Sequence, residues 1–297
     1  MLAAPPAWFT RALQSPAESA WVEVAGCWVR CYAWGRSGRP GVVLVHGNGA
    51  HSQWWSFIAP FLARERRIVA LDLGGMGDSG VPAPYGPEAL ADQIAAVTAH
   101  LAGPDPVALI GHSFGGLIAV VAAQRHRARF DRLIVIDTPF MLDDHERRPR
   151  GYRSPVKKVY PDFDSALRRF RLIPEQPCDN DFIFDHVARH SIKQVDGGWS
   201  WKFEQNPWHS PSFDPGLWRR IRDLLPDLAL PRAFIRGACS DLCPPATELA
   251  WRRLVGPESP VVVIPAARHH VMLDQPLALV AALDALLSGF GRCTRIG

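Results

Sequence analysis

The sequence contains no apolar run of about 18 residues, the length at which a transmembrane helix would be expected. Its first 15 residues also lack the basic start and the sustained apolar stretch of a secretory signal. We therefore expect a cytoplasmic protein without a membrane partner. Neither sign of charge is in large excess, with 33 Lys and Arg against 29 Asp and Glu. Because no long basic stripe is present, the sequence does not indicate a nucleic-acid partner.

Cysteine is scarce and scattered, with six residues in 297. Cys239 and Cys243 flank Asp241, but no second cysteine pair and no histidine pair completes the four-ligand set of a structural zinc site. In a reducing compartment these cysteines are expected to remain free thiols. The sequence therefore predicts no structural metal and no cofactor.

Apolar, strand-like runs alternate with helix-like runs along most of the chain. The strand-like runs lie at 40–45, 67–72, 106–110, 132–136, 233–236 and 261–264, and the helix-like runs at 52–65, 87–101, 117–125, 245–254 and 275–287. Strands that are apolar throughout are typical of a parallel sheet with helices on both faces. A short helix at 5–13 and a hairpin within 21–34 precede this pattern. The sequence predicts an α/β fold around a mostly parallel central sheet.

The alternation stops between residues 139 and 230, where the chain is rich in proline, charged residues and aromatic residues. We interpret this stretch, residues 139–230, as an inserted and mainly helical cap. The α/β core is then formed by residues 1–138 and 231–297.

The predicted cap carries its charge unevenly. Residues 147–171 contain nine basic and two acidic side chains, and residues 172–188 contain four acidic side chains and no basic ones. Solvated helix faces that pair with each other would explain this distribution. A basic rim that attracts an anionic substrate would explain it as well. Both interpretations stay open at the level of sequence.

The pattern G-x-S-x-G, formed by Gly111, Ser113 and Gly115, lies between the run at 106–110 and the helix-like run at 117–125. A serine on so sharp a strand-to-helix turn has a strained backbone, and its hydroxyl stands clear of the sheet beside the positive end of the helix. A serine that only caps the helix is the alternative. We interpret Ser113 as a nucleophile.

A serine hydroxyl needs a base to take its proton, and the base needs an acid that fixes its tautomer. Asp241 follows the run at 233–236 and is the predicted acid, with Asp137, just past the run at 132–136, as the second candidate. His269 and His270 both follow the run at 261–264, so either could be the base. All of these residues lie at strand ends, where open α/β sheets bind their ligands.

The developing oxyanion requires N–H donors. The backbone N–H of Phe114, directly after the nucleophile, is one expected donor. The other is expected from the loop after the run at 40–45, at Asn48, with Gly49 as the near alternative. We interpret His46 as a structural residue that orients this loop.

Four motifs in this order resemble the α/β-hydrolase superfamily, in its branch of capped serine esterases. They are His46-Gly47-Asn48-Gly49, residues 72–79, residues 111–116, and residues 237–241 followed by His269. The family commonly places its histidine seven residues before a proline, and Pro276 then selects His269 over His270. Arg268 departs from the family pattern, which usually has glycine before the histidine. The resemblance implies an α/β-hydrolase fold with an inserted helical cap.

The resemblance further implies a serine hydrolase that cleaves a small or medium, partly apolar carboxylic ester through an acyl-enzyme. Ser113 would be the nucleophile, His269 the base and Asp241 the acid. The serine excludes branches with an aspartate nucleophile, the epoxide hydrolases and haloalkane dehalogenases. Hydrolysis of a C–C bond in ring-cleavage products, of a thioester or of a lactone would use the same triad. A ligand-binding receptor without turnover is the alternative outside enzymes, and we expect a monomer or homodimer.

Aromatic side chains in the predicted cap either pack it onto the core or form a wall of the substrate pocket. Several other apolar residues lie near predicted strand ends. The candidates for substrate contact are Gly49, Phe140, Met141, Trp199, Trp201 and Met272.

Overall fold

The computed structural model describes residues 4–140, 158–203 and 216–289. Eight strands form one sheet in the order β1-β2-β4-β3-β5-β6-β9-β10, and β7 and β8 form a separate hairpin. The strands are β1 (Glu18–Val24), β2 (Cys27–Trp34), β3 (Gly41–Val45), β4 (Arg67–Leu71), β5 (Val107–His112), β6 (Phe130–Ile136), β7 (Ile192–Val195), β8 (Gly198–Trp201), β9 (Arg232–Gly237) and β10 (Val261–Ile264). In the large sheet, the pairs β1–β2 and β2–β4 are antiparallel and the other five pairs are parallel. The predicted mostly parallel sheet is therefore confirmed.

The helices lie at most of the places where the sequence predicts them. They are α1 (Ala7–Leu13), α2 (Ala59–Leu62), α3 (Pro87–Leu101), α4 (Phe114–Arg125), α5 (Phe163–Leu167), α6 (Asp181–His190), α7 (Leu217–Asp227), α8 (Pro245–Val255), α9 (Val271–Asp274) and α10 (Pro276–Gly289). The predicted continuous helix at 52–65 is wrong, because the structure has a 3-10 turn at Ser52–Trp55 and then the four-residue α2. Pro60 lies in the first turn of α2, where its missing N–H is tolerated, but it cannot continue a helix that began earlier.

Each face of the sheet carries its own hydrophobic cluster. Along β3, Val43 and Val45 join one cluster and Val42 and Leu44 the other, as the twofold alternation of side chains in a strand requires. The first cluster is covered by helices α3, α4, α7 and α8, and the second by α1, α6 and α10. Because both faces are covered, the central strands are apolar throughout.

The chain between β6 and β9 contains α5, α6, the hairpin β7–β8 and α7. The sequence analysis misses this hairpin, although Asp196-Gly197 is a strong hairpin signal. Gly197 and Gly198 have φ values of 81° and 147°, where other residues would be strained. Among the described residues, no helix combines the length and the apolar character needed to cross a membrane.

Candidate active site

Ser113 occupies the single-residue turn between β5 and α4. Its φ of 53° and ψ of −123° lie in a region that non-glycine residues rarely adopt. Two backbone hydrogen bonds hold the turn, from Ser113 N to Ile136 O at 2.9 Å and from Gly116 N to Ser113 O at 2.9 Å. This is the strained strand-to-helix turn that the G-x-S-x-G pattern predicts.

The glycines of the pattern allow the turn to pack against neighbouring backbone. A Cβ atom at Gly111 would lie 2.5 Å from the carbonyl oxygen of Gly115, and one at Gly115 would lie 2.2 Å from that of His46. Both distances are too short for any side chain. The loop after β3 therefore approaches the nucleophile more closely than a bulkier residue would permit.

His269 links two side chains that come from different strand ends. Its Nε2 atom lies 2.9 Å from Ser113 Oγ, and its Nδ1 atom lies 2.8 Å from Asp137 Oδ1. Because a carboxylate only accepts hydrogen bonds, Nδ1 carries the proton and Nε2 is left to accept from the serine hydroxyl. His269 is 3% exposed and Asp137 is fully buried, so this pair is shielded from water.

The prediction that Asp241 orients the histidine is wrong, and the second candidate, Asp137, takes that place. Asp241 is exposed in the loop after β9, and no hydrogen bond joins it to His269 in the described chain. That loop instead donates two hydrogen bonds to Asp137, from Gly237 N at 2.8 Å and from Ser240 Oγ at 2.6 Å. With the histidine, three donors satisfy the buried carboxylate, which would otherwise be costly to bury.

The sheet order gives the reason for this correction. Strand β6 lies between β5, which carries Ser113, and β9. Asp137 directly follows β6, and its backbone N donates to Ile235 O in β9 at 2.7 Å. Its φ of 43° breaks the extended path of the strand at this point. Asp137 directly follows its strand, whereas Asp241 lies four residues past Gly237, the last residue of β9.

His46 orients the loop after β3, as the sequence predicts. Leu73 N donates to His46 Nε2 at 2.9 Å, so Nδ1 carries the proton and donates to Gly47 O at 2.8 Å. Burial lowers the pKa of His46, which keeps the imidazole neutral. A Cβ atom at Gly47 would lie 3.3 Å from Ser113 Cβ, so the loop lies directly beside the nucleophile.

The structure brings the expected oxyanion donors to the same region. Phe114 is the first residue of α4 and directly follows Ser113. Asn48 and Gly49 line a cavity beside the loop. The N–H groups of Phe114 and Asn48 thus come from two segments that flank Ser113.

The cavity has a volume of about 330 Å³ and lies between the core and the segment that follows β6. The core contributes the loop at Asn48 and Gly49 together with Trp54, which the sequence analysis did not single out. The remaining lining residues are Lys158, Tyr160, Arg169, Phe170, Arg171, Leu172, Ile173, Ser191, Trp201, Lys202 and Phe203. The predicted contacts Gly49 and Trp201 are therefore on its wall.

The other predicted contact residues are not among those that line this cavity. Trp199 packs edge-on against Phe163, with ring centroids 5.3 Å apart. Phe140 is 1% exposed and contacts Phe234 and Trp251 in one core cluster, and Met272 is 1% exposed in the other. Phe140 and Met272 follow strand ends as expected, but their side chains turn into the core. Met141 lies outside the described residues.

A polar network that the sequence analysis did not find holds the loop that carries His269. Arg268 N donates to Asp274 Oδ2 at 2.6 Å, which closes the loop. Gln176, from the segment after β6, donates to the Asp274 carboxylate and accepts from His270 N at 3.0 Å. The position of His269 therefore depends on contacts from the core and from the segment that follows β6.

Comparisons with known proteins agree with this fold. Residues 42–283 match the family described as "Alpha/beta hydrolase family". The chain is 32% identical over 259 residues to a pimeloyl-[acyl-carrier protein] methyl ester esterase of Neisseria meningitidis, covering 84% of this chain and 77% of that protein. It is 28% identical over 256 residues to the protein of the same name from Aeromonas hydrophila, covering 82% and 94%. A structure of E-2-(acetamidomethylene)succinate hydrolase is similar with a TM-score of 0.75 and 22% identity, covering 92% of this chain and 100% of that one.

Proposed function

Because the chain belongs to the alpha/beta hydrolase family, we propose that it is a serine hydrolase that cleaves a carboxylic ester through an acyl-enzyme. Ser113 is the nucleophile, His269 the general base and Asp137 the acid. One observation carries this proposal, the continuous hydrogen-bond chain from Ser113 Oγ through His269 to Asp137. The family and the esterase relatives support the same class of reaction.

The reaction follows from the protonation states in this chain. Ser113 Oγ attacks the ester carbonyl while His269 Nε2 takes its proton, and Asp137 stabilises the resulting imidazolium. The backbone N–H groups of Phe114 and Asn48 bind the oxyanion, each contributing roughly 3 kcal/mol to the transition state. His269 then gives its proton to the leaving alcohol. Water attacks the acyl-enzyme by the reverse sequence and releases the acid.

We assign the substrate pocket to the cavity at Asn48 and Gly49 and the cap to residues 139–230. Trp54, Phe170, Trp201 and Phe203 supply an apolar wall. A volume of about 330 Å³ is at the small end of the range for ligand sites, which fits an acyl group of small or medium length.

The cavity wall also has a basic part, apart from the apolar residues named above. This basic part indicates the charge of the substrate. Lys158, Arg169 and Arg171 are exposed and line the cavity, whereas no Asp or Glu is among its lining residues. A fourth cation, Lys202, is neutralised by Asp78 at 2.8 Å. We therefore propose that the substrate carries an anionic group at the end remote from the ester bond.

Hydrolysis of an acyl-thioester on an anionic carrier is the second candidate, because the same basic wall would favour it. The relatives named above act, by their names, on a methyl ester of an acyl-carrier protein conjugate. No comparable observation favours C–C bond or lactone hydrolysis, and the Ser113–His269–Asp137 chain opposes a receptor without turnover. A cytoplasmic location and a monomeric or homodimeric state remain predictions.

The test is hydrolysis of p-nitrophenyl esters from acetate to decanoate by the wild type and by Ser113→Ala, with fluorophosphonate labelling of both. We expect activity with a maximum at one chain length, labelling of Ser113, and loss of both in the variant. A wild type that is labelled but inert on every ester would redirect the assay to acyl-thioesters and dienones. A wild type that is neither active nor labelled would refute a nucleophilic Ser113.

A further inference from the structure

Three histidines form a compact buried cluster around the base of the proposed triad. The ring centroid of His269 lies 4.8 Å from that of His112 and 4.9 Å from that of His270, and the other two rings are 5.8 Å apart. One ring nitrogen from each residue lies within 4.8 Å of one from each of the others. Each of the three histidines is at most 4% exposed. The proposed ester hydrolysis uses only His269.

The hydrogen bonds of the cluster leave nitrogen lone pairs available. His112 Nε2 donates to the backbone oxygen of His269 at 2.9 Å, so its Nδ1 is the unprotonated nitrogen, and no described group hydrogen-bonds to it. His269 Nδ1 donates to Asp137, which leaves Nε2 unprotonated. The backbone oxygen of Pro174 accepts a weak hydrogen bond from one ring nitrogen of His270, and the other ring nitrogen has no partner in the described part of the chain. Buried polar atoms without partners require an explanation, and a bound ion is one of the ordinary explanations.

The partners of two rings are those of metal-binding histidines. Such a residue commonly donates its second ring N–H to a carboxylate or a backbone carbonyl, which fixes the tautomer and the ring orientation. His269 does so to Asp137, and His112 to the backbone of His269.

The cluster is wider than a set of histidines that already holds a metal ion. Nitrogen ligands about 2.0–2.1 Å from a tetrahedral zinc ion are about 3.3 Å apart, so the cluster must contract by about 1.5 Å. Because hydrogen bonds hold the rings of His112 and His269, the contraction must come mainly from rotation of the His270 imidazole about χ2, which is a soft torsion. The Trp54 ring lies 5.3 Å from that of His270 and also lines the cavity, so one aromatic side chain separates the cluster from the cavity. Ser113 Oγ or water would complete the coordination.

We propose that His112, His269 and His270 form a binding site for a divalent transition metal ion such as Zn²⁺ or Cu²⁺, and that the bound ion inhibits the enzyme. The ion coordinates His269 Nε2 and so removes the acceptor of the Ser113 proton. Metal binding at this site inhibits ester hydrolysis, and the proposed reaction itself uses no metal ion. Nitrogen ligands favour Cu²⁺ and Zn²⁺ over Mg²⁺ and Ca²⁺, which therefore do not inhibit. The inhibition rests on the proposed function, whereas metal binding does not.

The first experiment measures ester hydrolysis against Zn²⁺, Cu²⁺ and Mg²⁺, with reversal by EDTA, for wild type, His270→Asn and His190→Asn. Each rate is divided by the metal-free rate of the same variant. His190 is the matched control because it is exposed at the end of α6 and its ring lies 4.3 Å from that of His186, where a second histidine pair could bind metal. We expect reversible inhibition by Zn²⁺ and Cu²⁺ alone. His270→Asn should raise the half-inhibitory concentration at least about tenfold, and His190→Asn should leave it unchanged.

A second experiment separates metal binding from catalysis. Co²⁺ is titrated into Ser113→Ala and into Ser113→Ala/His270→Asn, and the visible absorption of tetrahedral cobalt is recorded. We expect about one tightly bound Co²⁺ per chain in the first protein and at least tenfold weaker binding in the second. Equal inhibition of wild type and His270→Asn, protection by His190→Asn, or equal cobalt affinity in both titrated proteins would overturn the metal site. If Ser113→Ala binds cobalt as expected but the wild type hydrolyses no ester, only the proposed function is overturned.

Discussion

The Nδ1 atom of His269 lies 2.8 Å from Oδ1 of Asp137, and these two residues follow strands that are not neighbours. Strand β9 lies between β6, which precedes Asp137, and β10, which precedes His269. The imidazole therefore reaches across the end of β9 to meet Asp137, and across the ends of β9 and β6 to meet Ser113. The end of β9 contributes hydrogen-bond donors, from Gly237 and Ser240, and not the carboxylate.

The first prediction concerns which carboxylate supports catalysis. Asp137→Asn should lower kcat by roughly 10⁴, because an amide cannot hold His269 in the required tautomer or stabilise its cation. Asp241→Asn is the matched control at the exposed position and should leave kcat within about twofold. Steady-state hydrolysis of the best p-nitrophenyl ester measures both. A large loss in Asp241→Asn with a small one in Asp137→Asn would reverse the assignment.

The second prediction concerns the close approach at the nucleophile turn. Gly115→Ala should lower the free energy of unfolding by about 1–3 kcal/mol and reduce activity, because the new Cβ atom would lie 2.2 Å from the backbone oxygen of His46. Gly289→Ala is the control, since a Cβ atom there meets nothing within 4 Å. Urea unfolding monitored by tryptophan fluorescence compares the two. Equal midpoints would show that the turn relaxes without cost.

The third prediction concerns acid and the buried histidines. Burial lowers the pKa values of His46, His51, His112 and His270, and that of His186 falls to about 4. The unfolded chain, with histidine pKa values near about 6.5, binds more protons below that pH than the folded protein does. Folding stability from these residues is therefore complete above pH of about 6.5 and is lost as the pH falls toward the lower folded-state pKa values.

His186 gives this prediction a quantitative check. Between pH of about 6.5 and 4, it should contribute a loss of up to about 1.4 kcal/mol per pH unit, because its Nε2 is buried against Ser56 Oγ at 2.9 Å. Urea unfolding at pH 7.5, 6.5, 5.5 and 4.5 measures the slope. His186→Gln should flatten the slope, and His100→Gln, at an exposed position, should not. The same slope in both variants would contradict the role of His186.

The fourth prediction concerns the basic wall of the cavity. Arg169→Gln should raise KM several-fold for a p-nitrophenyl ester whose acyl chain ends in a carboxylate, and should leave KM unchanged for the uncharged ester of equal length. Arg168→Gln removes the same charge from the neighbouring residue, which is exposed and does not line the cavity. The effect of Arg169→Gln should shrink at high salt. An equal change in KM for both esters would show loss of packing and not of charge recognition.

The fifth prediction concerns the network that holds the histidine loop. Gln176→Ala removes the acceptor for His270 N and a donor to Asp274. We expect a fall in kcat of about tenfold, equivalent to about 1.4 kcal/mol, with KM little changed. Gln176→Glu restores an acceptor but not the donor, so its activity should lie between those of the wild type and the alanine variant. A changed KM with unchanged kcat would place Gln176 in substrate binding instead.

The residues that depend on local pattern could be predicted from sequence. Ser113 is indicated by a turn that needs glycine on both sides, whereas the choice of His269 over His270 comes from the family resemblance, which implies a fixed distance to Pro276. The acid could not be settled locally, because Asp137 and Asp241 both follow strands. Only the order of β5, β6 and β9 in the sheet decides between them, and that order is a property of long-range pairing.

The direction of individual side chains is the second feature that could not be predicted from the sequence. Phe140 and Met272 lie near strand ends, as Asn48 does, but turn into the core, and the backbone path that turns them is set by tertiary contacts. The hairpin at β7 and β8 carries a recognisable Asp-Gly signal, yet each strand has only four residues, too few for an alternating pattern to stand out. Segments of this length are decided by what they pack against.

The hydroxyl of Ser240 lies 2.6 Å from the carboxylate of Asp137, so two neighbouring strand ends offer a side chain to nearly the same point beside the imidazole. What the chemistry requires is a negative charge at that point, whichever strand supplies it. In evolutionary terms, the acidic residue could therefore change its position from one strand end to the other. A lineage could transfer it from β6 to β9 by gaining a carboxylate at residue 240 before losing the one at 137, without ever passing through an ancestor that lacks a charge beside its histidine.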